Sequence, residues 1–565
     1  MFVKKGKKCY NISCSERDEI YFVEEYIMKK FLARLCAFAL IIAMLVPANV
    51  SRAAAYDPDA DFTGKTVILH TNDVHGALEG YKYAKGLKAA FERAGADVIL
   101  ADAGDFSQGD PTVSYYKGLS AIKTMNRAHY DVATLGNHEF DYGWAVLKKN
   151  LKKAKFTVVC ADVLENGKVL AGTKANTVIT TKSGVKVGFF GMETPEAQTK
   201  TNPALIKGLT FLAGKDMFAC AQAQVDELKE KADVIICLAH LGVDDESIGN
   251  RSIDLWNNVT GIDYIIDGHS HTVMTEGEKG EKIQSTGTKF ANIGVIVIDN
   301  KTKKIVDNYL IEVDETLPAS YLVKKKAKKY INKIEAVYGE VFAKSEVDLN
   351  GERDPGNRTE ETNNGDIITD AMLWTVMQNK EGLTVADDHV VAITNGGGIR
   401  AAIAAGDVTK KDVVTVLPFG NTVTLVYVTG AELLEALEAS CQSCPVAVGG
   451  FPQIAGMKIT IDTTKEYQPN DETYPASTYY GPKKITRVTI NEVNGKAFNE
   501  KDIYAVITND FCASGGDTYY VFGNATTKFD TGVPLDEALM AYITEELDGV
   551  IGSKYAKPQG RITVK

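Results

Sequence analysis

The chain has 565 residues, of which 45% are hydrophobic, 24% charged and 9% aromatic. This length favours more than one domain. The formal net charge of -11 argues against a nucleic-acid polymer as partner, because such binding needs a basic surface. A small phosphorylated ligand needs only a local basic pocket, so composition leaves that class open.

Residues 1–55 are predicted to be an upstream segment and a signal peptide. A basic start at Met28-Lys29-Lys30 precedes an apolar run from Ala37 to Pro47, and Ala53-Ala54-Ala55 offers a small-residue cleavage site. The apolar run is too short to span a membrane comfortably. The sequence therefore predicts a secreted or cell-envelope protein with no membrane span after cleavage.

Six cysteines follow the predicted cleavage site, too few for a disulfide-built fold of this size. Cys441 and Cys444 form one Cys-x-x-Cys pair without a second pair nearby. In an exported protein this favours a local disulfide, or two unpaired thiols, over a metal site.

Between residues 63 and 316, apolar strand-like runs alternate with helical segments, which is typical of an α/β fold. The predicted strands are Thr66–Leu69, Asp97–Ala101, Asp131–Leu135, Val185–Phe190, Asp233–Leu238 and Ile262–Ile266. Met217–Lys231 is predicted to be a helix with one apolar face.

The chain is predicted to divide at a lysine-rich helix. We expect a first domain over 56–317, a helical linker or hinge over 318–346, and a second domain over 347–565. The second domain is predicted to contain two helices and five strands: Asn364–Asn379, Gly430–Ser440, His389–Thr394, Thr422–Val428, Lys458–Ile461, Thr486–Ile490 and Ile503–Thr508.

Metal-ligating residue types follow one predicted strand after another. The segments are Asp73-Val74-His75, Gly104-Asp105, Gly136-Asn137-His138-Glu139, His240, and Gly268-His269-Ser270-His271. The chain has only eight histidines, and five lie in these segments. A mixture of carboxylate and imidazole donors suits zinc, manganese or similar ions.

Together these motifs resemble the calcineurin-like metallophosphoesterases. Three later segments resemble the C-terminal domain of secreted 5′-nucleotidases, a family that includes UDP-sugar hydrolases: Asn395–Arg400, Leu417–Asn421 and Asn509–Asp517. The resemblance implies a four-layer α/β/β/α sandwich followed by an α+β substrate-recognition domain.

The resemblance also implies a site for two divalent metal ions. One ion would take Asp73, His75, Asp105 and His271, and the other would take Asp105, Asn137, His240 and His269. His138 would stabilise the transition state or protonate the leaving oxygen. Asp141 would orient the His138 ring and favour its charged form.

The second domain is expected to choose the substrate. Arg353, Arg358 and Arg400 would bind phosphate, and Phe419 and Phe511 would sandwich a base. Asp517 would accept hydrogen bonds from the ribose, while Asn395 and Asn421 would reach base or ribose. With the two halves facing one site, we expect two interdomain arrangements.

The predicted function is hydrolysis of a nucleoside 5′-monophosphate to nucleoside and phosphate. A 2′,3′-cyclic-nucleotide 2′-phosphodiesterase/3′-nucleotidase and a UDP-sugar hydrolase are alternatives, because the same metal site serves all three. An inactive nucleotide-binding surface protein and a thiosulfate-ester hydrolase are weaker alternatives. The intact ligand set disfavours the first, and the phenylalanine pair disfavours the second.

Overall fold

The computed structural model describes residues 55–475 and 477–565. The signal peptide predicted upstream of Tyr56 lies outside the described residues, apart from Ala55. Within the described part, no helix has both the length and the apolar character needed to cross a membrane.

The first half of the described chain contains two six-stranded sheets. Sheet 1 consists, in spatial order, of Lys304–Glu312, Asn292–Asp299, Lys65–Thr71, Asp97–Asp102, Val132–Ala133 and Thr157–Val158. Sheet 2 consists of Val273–Met274, Ile283–Thr286, Tyr264–Ile266, Val234–His240, Lys186–Glu193 and Asn176–Thr180. A small three-stranded sheet is formed by Lys168–Val169, Val163–Glu165 and Leu209–Phe211.

Both faces of the central strands are buried, which explains their continuous apolar runs. In Lys65–Thr71, Ile68 packs between the two sheets, whereas Val67 and Leu69 face the helices outside sheet 1. Sheet 2 is covered on its outer face by helices that include Gly214–Leu228. The predicted α/β/β/α layering is therefore confirmed. The helices of this half are Tyr81–Arg93, Pro111–Ser114, Leu119–Ala128, Trp144–Leu151, Ala197–Lys200, Gly214–Leu228 and Ser252–Asn258.

The predicted strands of this half pair in parallel, so their carboxyl ends lie along one edge of each sheet. The antiparallel pair Asn292–Asp299 and Lys304–Glu312 was absent from the prediction. Predicted strand Asp131–Leu135 is shorter in the structure, where only Val132–Ala133 is paired.

The lysine-rich segment forms the helix Tyr321–Tyr338, as predicted. Its apolar stripe of Val323, Ala327, Tyr330 and Ile334 is buried, and Val323, Ala327 and Tyr330 belong to the core of the first half. One face of this helix is therefore packed rather than solvated, while the lysines lie on the other face.

The second half is built on sheet 3, whose strands in spatial order are Pro452–Ala455, Val390–Asn395, Ile503–Asn509, Thr422–Thr429 and Lys528–Pro534. Three smaller sheets accompany it. The first consists of Gly406–Thr409, Val341–Ser345 and Val550–Ile551, and the second of Val488–Val493, Met457–Ile461 and Ile562–Val564. The third pairs Gln468–Pro469 with Pro482–Lys484. The helices are Asn363–Met377, Lys410–Val416, Gly430–Ser440, Asp510–Ala513, Tyr520–Asn524 and Leu535–Ala541.

Sheet 3 is also buried on both faces. Helix Asn363–Met377 covers one face, and helix Gly430–Ser440 packs on the other. Cys441 and Cys444 follow the second helix as buried, unpaired thiols, which is one of the two states left open for them.

Candidate active site

The predicted metal ligands all stand at or just beyond the carboxyl ends of strands. Asp73 and His75 follow Lys65–Thr71, and Asp105 follows the neighbouring Asp97–Asp102. His240 is the last residue of its strand in sheet 2. Because the two sheets stack with these ends at one edge, residues nearly 200 positions apart converge there.

One cluster gathers around the carboxylate of Asp105. Its Oδ2 atom lies 3.1 Å from His240 Nε2 and 3.7 Å from His75 Nε2. Asp73 Oδ1 lies 3.5 Å from His271 Nε2 and 3.8 Å from His75 Nε2. The Nε2 atoms of His75 and His271 are only 2.9 Å apart, so at least one must present a lone pair to this space.

The remaining two predicted ligands form a pair beside this cluster. His269 Nδ1 lies 2.9 Å from Asn137 Oδ1. The convergent donor groups in the described chain are Asp73 with His75 and His271, and Asp73 with Asp105 and His240. Asp73 is thus shared in this geometry, whereas the family resemblance implies sharing of Asp105.

Five of the seven predicted ligands have backbone φ angles in the left-handed region. The values are 48° for Asp73, 43° for His75, 59° for Asp105, 78° for His269 and 56° for His271. Such angles are uncommon outside glycine and cluster at functional sites, where the surrounding fold holds them. The loops are therefore built to aim these side chains inward.

Burial changes the pKa values of residues in this cluster. It lowers the pKa of His75 and of His271 well below the ordinary histidine value, which favours the neutral imidazole that binds metal. It raises the pKa of Asp73 to about 7. His240 is also buried, but Asp105 and Asp73 act in the opposite direction and raise its pKa well above the ordinary value. The convergent carboxyl and imidazole groups are nonetheless donor types that fit divalent cations.

Glu139 lies within the Gly-Asn-His-Glu motif but had no role in the prediction. Its Oε2 accepts hydrogen bonds from the backbone N–H groups of Asp105 and Gly136, at 2.8 and 2.7 Å. Its Oε1 accepts from Phe106 and Ser107, at 3.0 and 2.9 Å. Glu139 therefore ties the Asp105 loop to the Asn137 loop.

The approach of Gly136 to Asp105 makes that connection tight, and burial also affects the protonation of Glu139. A Cβ atom on Gly136 would lie 2.3 Å from Asp105 Oδ1, so only glycine allows this approach. Burial raises the pKa of Glu139 to about 8. However, four N–H groups point at its carboxylate, so the ionised form satisfies these contacts best.

His138 and Asp141 make the predicted contact, with 2.7 Å between Nδ1 and Oδ2. Burial lowers the pKa of His138 to about 3, and it raises the pKa of Asp141 well above its ordinary value. In the ligand-free chain these shifts oppose the charged ring that the resemblance implied. The contact orients the ring in either protonation state.

A cavity of about 170 Å³ joins this region to the second half of the chain. Fourteen of the predicted site residues line it: Asp105, Asn137, His138, Asp141, His269, His271, Arg353, Arg358, Asn395, Arg400, Phe419, Asn421, Phe511 and Asp517. The other three, Asp73, His75 and His240, are buried in the ligand cluster.

The cavity wall from the second half is cationic. Burial lowers the pKa of Arg400, and the nearby charge of Arg353 acts in the same direction. Arg353 also pairs with Asp244 of the first half, at 3.1 Å. Two guanidinium groups facing one cavity suit an anion, which would relieve their repulsion.

Aromatic rings lie next to this charge. Phe419 has its ring centroid 5.7 Å from that of His138 and 5.8 Å from Arg400 Cζ. Phe511 is only 8% exposed and also belongs to the core of the second half. Phe419 is thus the more accessible of the two predicted stacking residues.

Asn395 is engaged within the protein. Its Nδ2 donates to Asp517 Oδ2 at 2.7 Å, and its Oδ1 accepts from Asn509 Nδ2 at 3.0 Å. The amide therefore positions Asp517, rather than offering itself to a base or ribose.

The cavity also has lining residues that no motif had indicated, among them Lys200, Asn202, Leu205, Asp244 and Ser247. They come from loops of the first half that approach the second half only in the folded chain. Asn202 Nδ2 donates to Asp510 Oδ2 at 3.1 Å, and Asp517 N donates to Thr199 O at 2.6 Å.

Two family models match the chain. The model of calcineurin-like phosphoesterases matches residues 66–273, and the model of the 5′-nucleotidase C-terminal domain matches residues 341–524. Together they cover more than half of the sequence. The chain therefore belongs to the calcineurin-like phosphoesterases that carry a 5′-nucleotidase C-terminal domain.

Individual relatives agree with this assignment. The chain is 31% identical over 557 residues to the trifunctional nucleotide phosphoesterase protein YfkN of Bacillus subtilis, with 90% of this chain but 35% of that longer protein covered. It is 28% identical over 529 residues to human 5′-nucleotidase, covering 85% of this chain and 88% of that one.

The solved structure of a 5′-nucleotidase precursor from Thermus thermophilus is also similar. Its TM-score is 0.74 at 28% identity, over 88% of this chain and 99% of that one. The predicted family and fold are thus confirmed, and the protein is a metal-dependent phosphoester hydrolase of the 5′-nucleotidase type.

Proposed function

We propose that the protein is an exported 5′-nucleotidase that hydrolyses nucleoside 5′-monophosphates to nucleoside and phosphate. The observation that carries this proposal is the shared cavity. Its walls combine predicted metal ligands from the first half with arginines, phenylalanines and Asp517 from the second half. A phosphate ester with an attached nucleoside matches that combination.

Two divalent ions, zinc, manganese or similar, are proposed as cofactors. Asp73, His75, Asp105 and His271 would hold one, and Asp105, Asn137, His240 and His269 would hold the other. The convergence of Asp73 with His75 and His271, and of Asp105 with His240, supports this assignment, as does the contact of His269 with Asn137. When bound, such ions supply Lewis-acid activation of water and of a phosphoryl oxygen.

The chain's own residues would align and neutralise the ester. Arg353, Arg358 and Arg400 bind the phosphate oxygens from the second half, opposite the metal ligands. His138 lies between Phe419 and the ligand cluster, so its Nε2 can serve the leaving oxygen while Asp141 holds Nδ1. The phosphate's negative charge would favour protonation of the His138 ring, against the effect of burial.

The nucleoside would bind on the second half. Phe419 and Phe511 would stack on the base, and Asp517 would accept hydrogen bonds from the ribose. Asn421 lines the same cavity and can reach ribose or base, whereas Asn395 would act by holding Asp517.

We further propose that the chain consists of a first domain over 56–317, a connector over 318–346 and a second domain over 347–565. Residues 1–55 would be removed on export. Strand Val341–Ser345, at the end of this connector, already pairs with Gly406–Thr409 of the second unit, so the connector joins the second unit's sheet before residue 347. Contacts such as Arg353 with Asp244 support a closed arrangement that opens for product release.

Hydrolysis of 2′,3′-cyclic nucleotides is a second candidate. The Bacillus subtilis relative is named as a trifunctional nucleotide phosphoesterase, so one chain of this kind can act on more than one nucleotide ester. The same catalytic residues would then act on a phosphate held by two ribose oxygens. A UDP-sugar is a further alternative substrate for the same cavity.

Product analysis by chromatography after hydrolysis of a panel of substrates tests the proposal, because opening a cyclic phosphate or cleaving a UDP-sugar releases no inorganic phosphate. The purified protein, with Mn²⁺ or Zn²⁺ added, would be given AMP, UMP, UDP-glucose, ATP, 2′,3′-cyclic AMP and p-nitrophenyl phosphate. We expect the largest kcat/KM with the 5′-monophosphates. A larger value for the cyclic nucleotide or for UDP-glucose would replace the first proposal by that alternative.

A further inference from the structure

His269 is held by a carboxylate that belongs to no recognised motif. Its Nε2 lies 2.9 Å from Glu196 Oε2, while its Nδ1 lies beside Asn137 Oδ1. Building on the proposed metal sites, we infer that Glu196 is a positioning residue for the second cation. It fixes the tautomer and the rotation of His269, so that Nδ1 is the nitrogen presented to the metal.

The surroundings of Glu196 fix the direction of this hydrogen bond. The residue is 2% exposed, and its Oε1 accepts from Ser247 Oγ at 2.5 Å. Lys200 Nζ lies 3.5 Å from Oε2. With a hydroxyl donating to it and an ammonium 3.5 Å away, Glu196 is held as an ionised acceptor, so His269 Nε2 must be the donor.

The tautomer decides whether His269 can bind a metal. A neutral imidazole carries one N–H and one lone pair. With the proton on Nε2, the lone pair lies on Nδ1, next to Asn137 Oδ1 and the proposed second ion. Metal-binding histidines commonly donate their other N–H to a carboxylate, and losing that partner typically lowers metal affinity 10- to 100-fold.

The same segment also supports the neighbouring ligand. Thr201 Oγ1 donates to the carbonyl oxygen of Asn137 at 2.9 Å. Thr199 O accepts from the backbone N–H of Asp517. Residues 196–201 thus contact Asn137 and His269, two proposed ligands of the same ion. Loss of Glu196 should therefore weaken one ion and spare the other.

The test is a calorimetric titration of Mn²⁺ into chelator-treated full-length protein. Wild type should show two equivalents. Glu196→Leu, which keeps the volume but removes the acceptor, should lose about 10- to 100-fold in affinity for one equivalent and retain the other. Asn137→Ala should weaken the same equivalent. Glu196→Gln, whose amide oxygen can still accept from Nε2–H, should recover most of the affinity.

Glu165→Leu is the matched control. Its carboxylate also accepts side-chain hydrogen bonds, from Trp144 Nε1 and Lys148 Nζ, but it does not line the cavity. Both equivalents should be unchanged in that variant. Thermal melting of every variant confirms folding, and Glu196→Asp, whose shorter side chain draws the carboxylate away from Nε2, replaces any Leu variant that does not fold.

The inference is overturned if a folded Glu196→Leu or Glu196→Asp protein binds two equivalents with wild-type affinity. It is also overturned if both equivalents weaken together. Failure of the proposed function gives a different result, because wild type itself would then bind no pair of ions or release no phosphate from AMP.

Discussion

Replacing Glu139 by glutamine changes one atom but should disturb both loops that carry the proposed ligands Asp105 and Asn137. The carboxylate accepts four backbone N–H groups, two on each oxygen, at 2.7–3.0 Å. In Glu139→Gln one oxygen becomes an NH₂ group, so two backbone donors face another donor whichever way the amide is turned. A buried donor without an acceptor costs about 1–3 kcal/mol, so two give a loss of about 2–6 kcal/mol in unfolding free energy.

Urea denaturation of chelator-treated protein measures this loss without a contribution from bound ions. Glu165→Gln serves as control, because the Trp144 and Lys148 donors that it faces lie near solvent and can turn to water. Its unfolding free energy should stay within about 0.5 kcal/mol of wild type. Equal stability of the Glu139 and Glu165 variants would refute the assignment of Glu139 as the acceptor that joins the two loops.

Three further outcomes are expected. His138→Ala should lower kcat for AMP about 10²- to 10⁴-fold while keeping two equivalents of Mn²⁺, because the ring is proposed to act at the leaving oxygen and not as a metal ligand. Loss of an equivalent would assign His138 to the metal site instead. Phe419→Ala should raise KM for AMP about 10- to 100-fold, since stacking contributes about 1–3 kcal/mol per base, but should leave KM for p-nitrophenyl phosphate unchanged. An equal rise in KM for both substrates would indicate damage to the fold. Chelation with EDTA should abolish phosphate release from AMP and lower the melting temperature, and added Mn²⁺ or Zn²⁺ should restore both. An unchanged melting temperature would argue against ions bound to the folded chain.

Elements whose apolar pattern is strong were predicted closely. Helix Gly430–Ser440 has the predicted bounds, and strand Asp97–Asp102 extends the prediction by one residue. These segments bury a face set by their own sequence, so the local pattern identifies them. Strand Asn292–Asp299 was not predicted, although its own apolar run is strong. Its pairing with Lys65–Thr71 is a different matter, because nothing local indicates a partner more than 200 residues away.

The same distinction holds for the site. Asp73, His75 and His240 could be proposed from the sequence because their residue types are rare and recur at strand ends. Glu139 stood inside a recognised motif, yet its role depends on four backbone N–H groups from two separate loops. Glu196 had no motif, and its partner His269 lies 73 positions away in the sequence.

The sequence by itself determined which donors the protein carries, and that each would follow a strand. Side-chain chemistry and the burial pattern of a strand are local properties, so they can be read one segment at a time. Only the tertiary structure decided which donors face one another, which nitrogen of His269 faces Asn137, and that Arg400 and Phe419 share a cavity with His138. Those relations depend on the stacking of two sheets and on contact between the two halves, where residues distant in the chain meet.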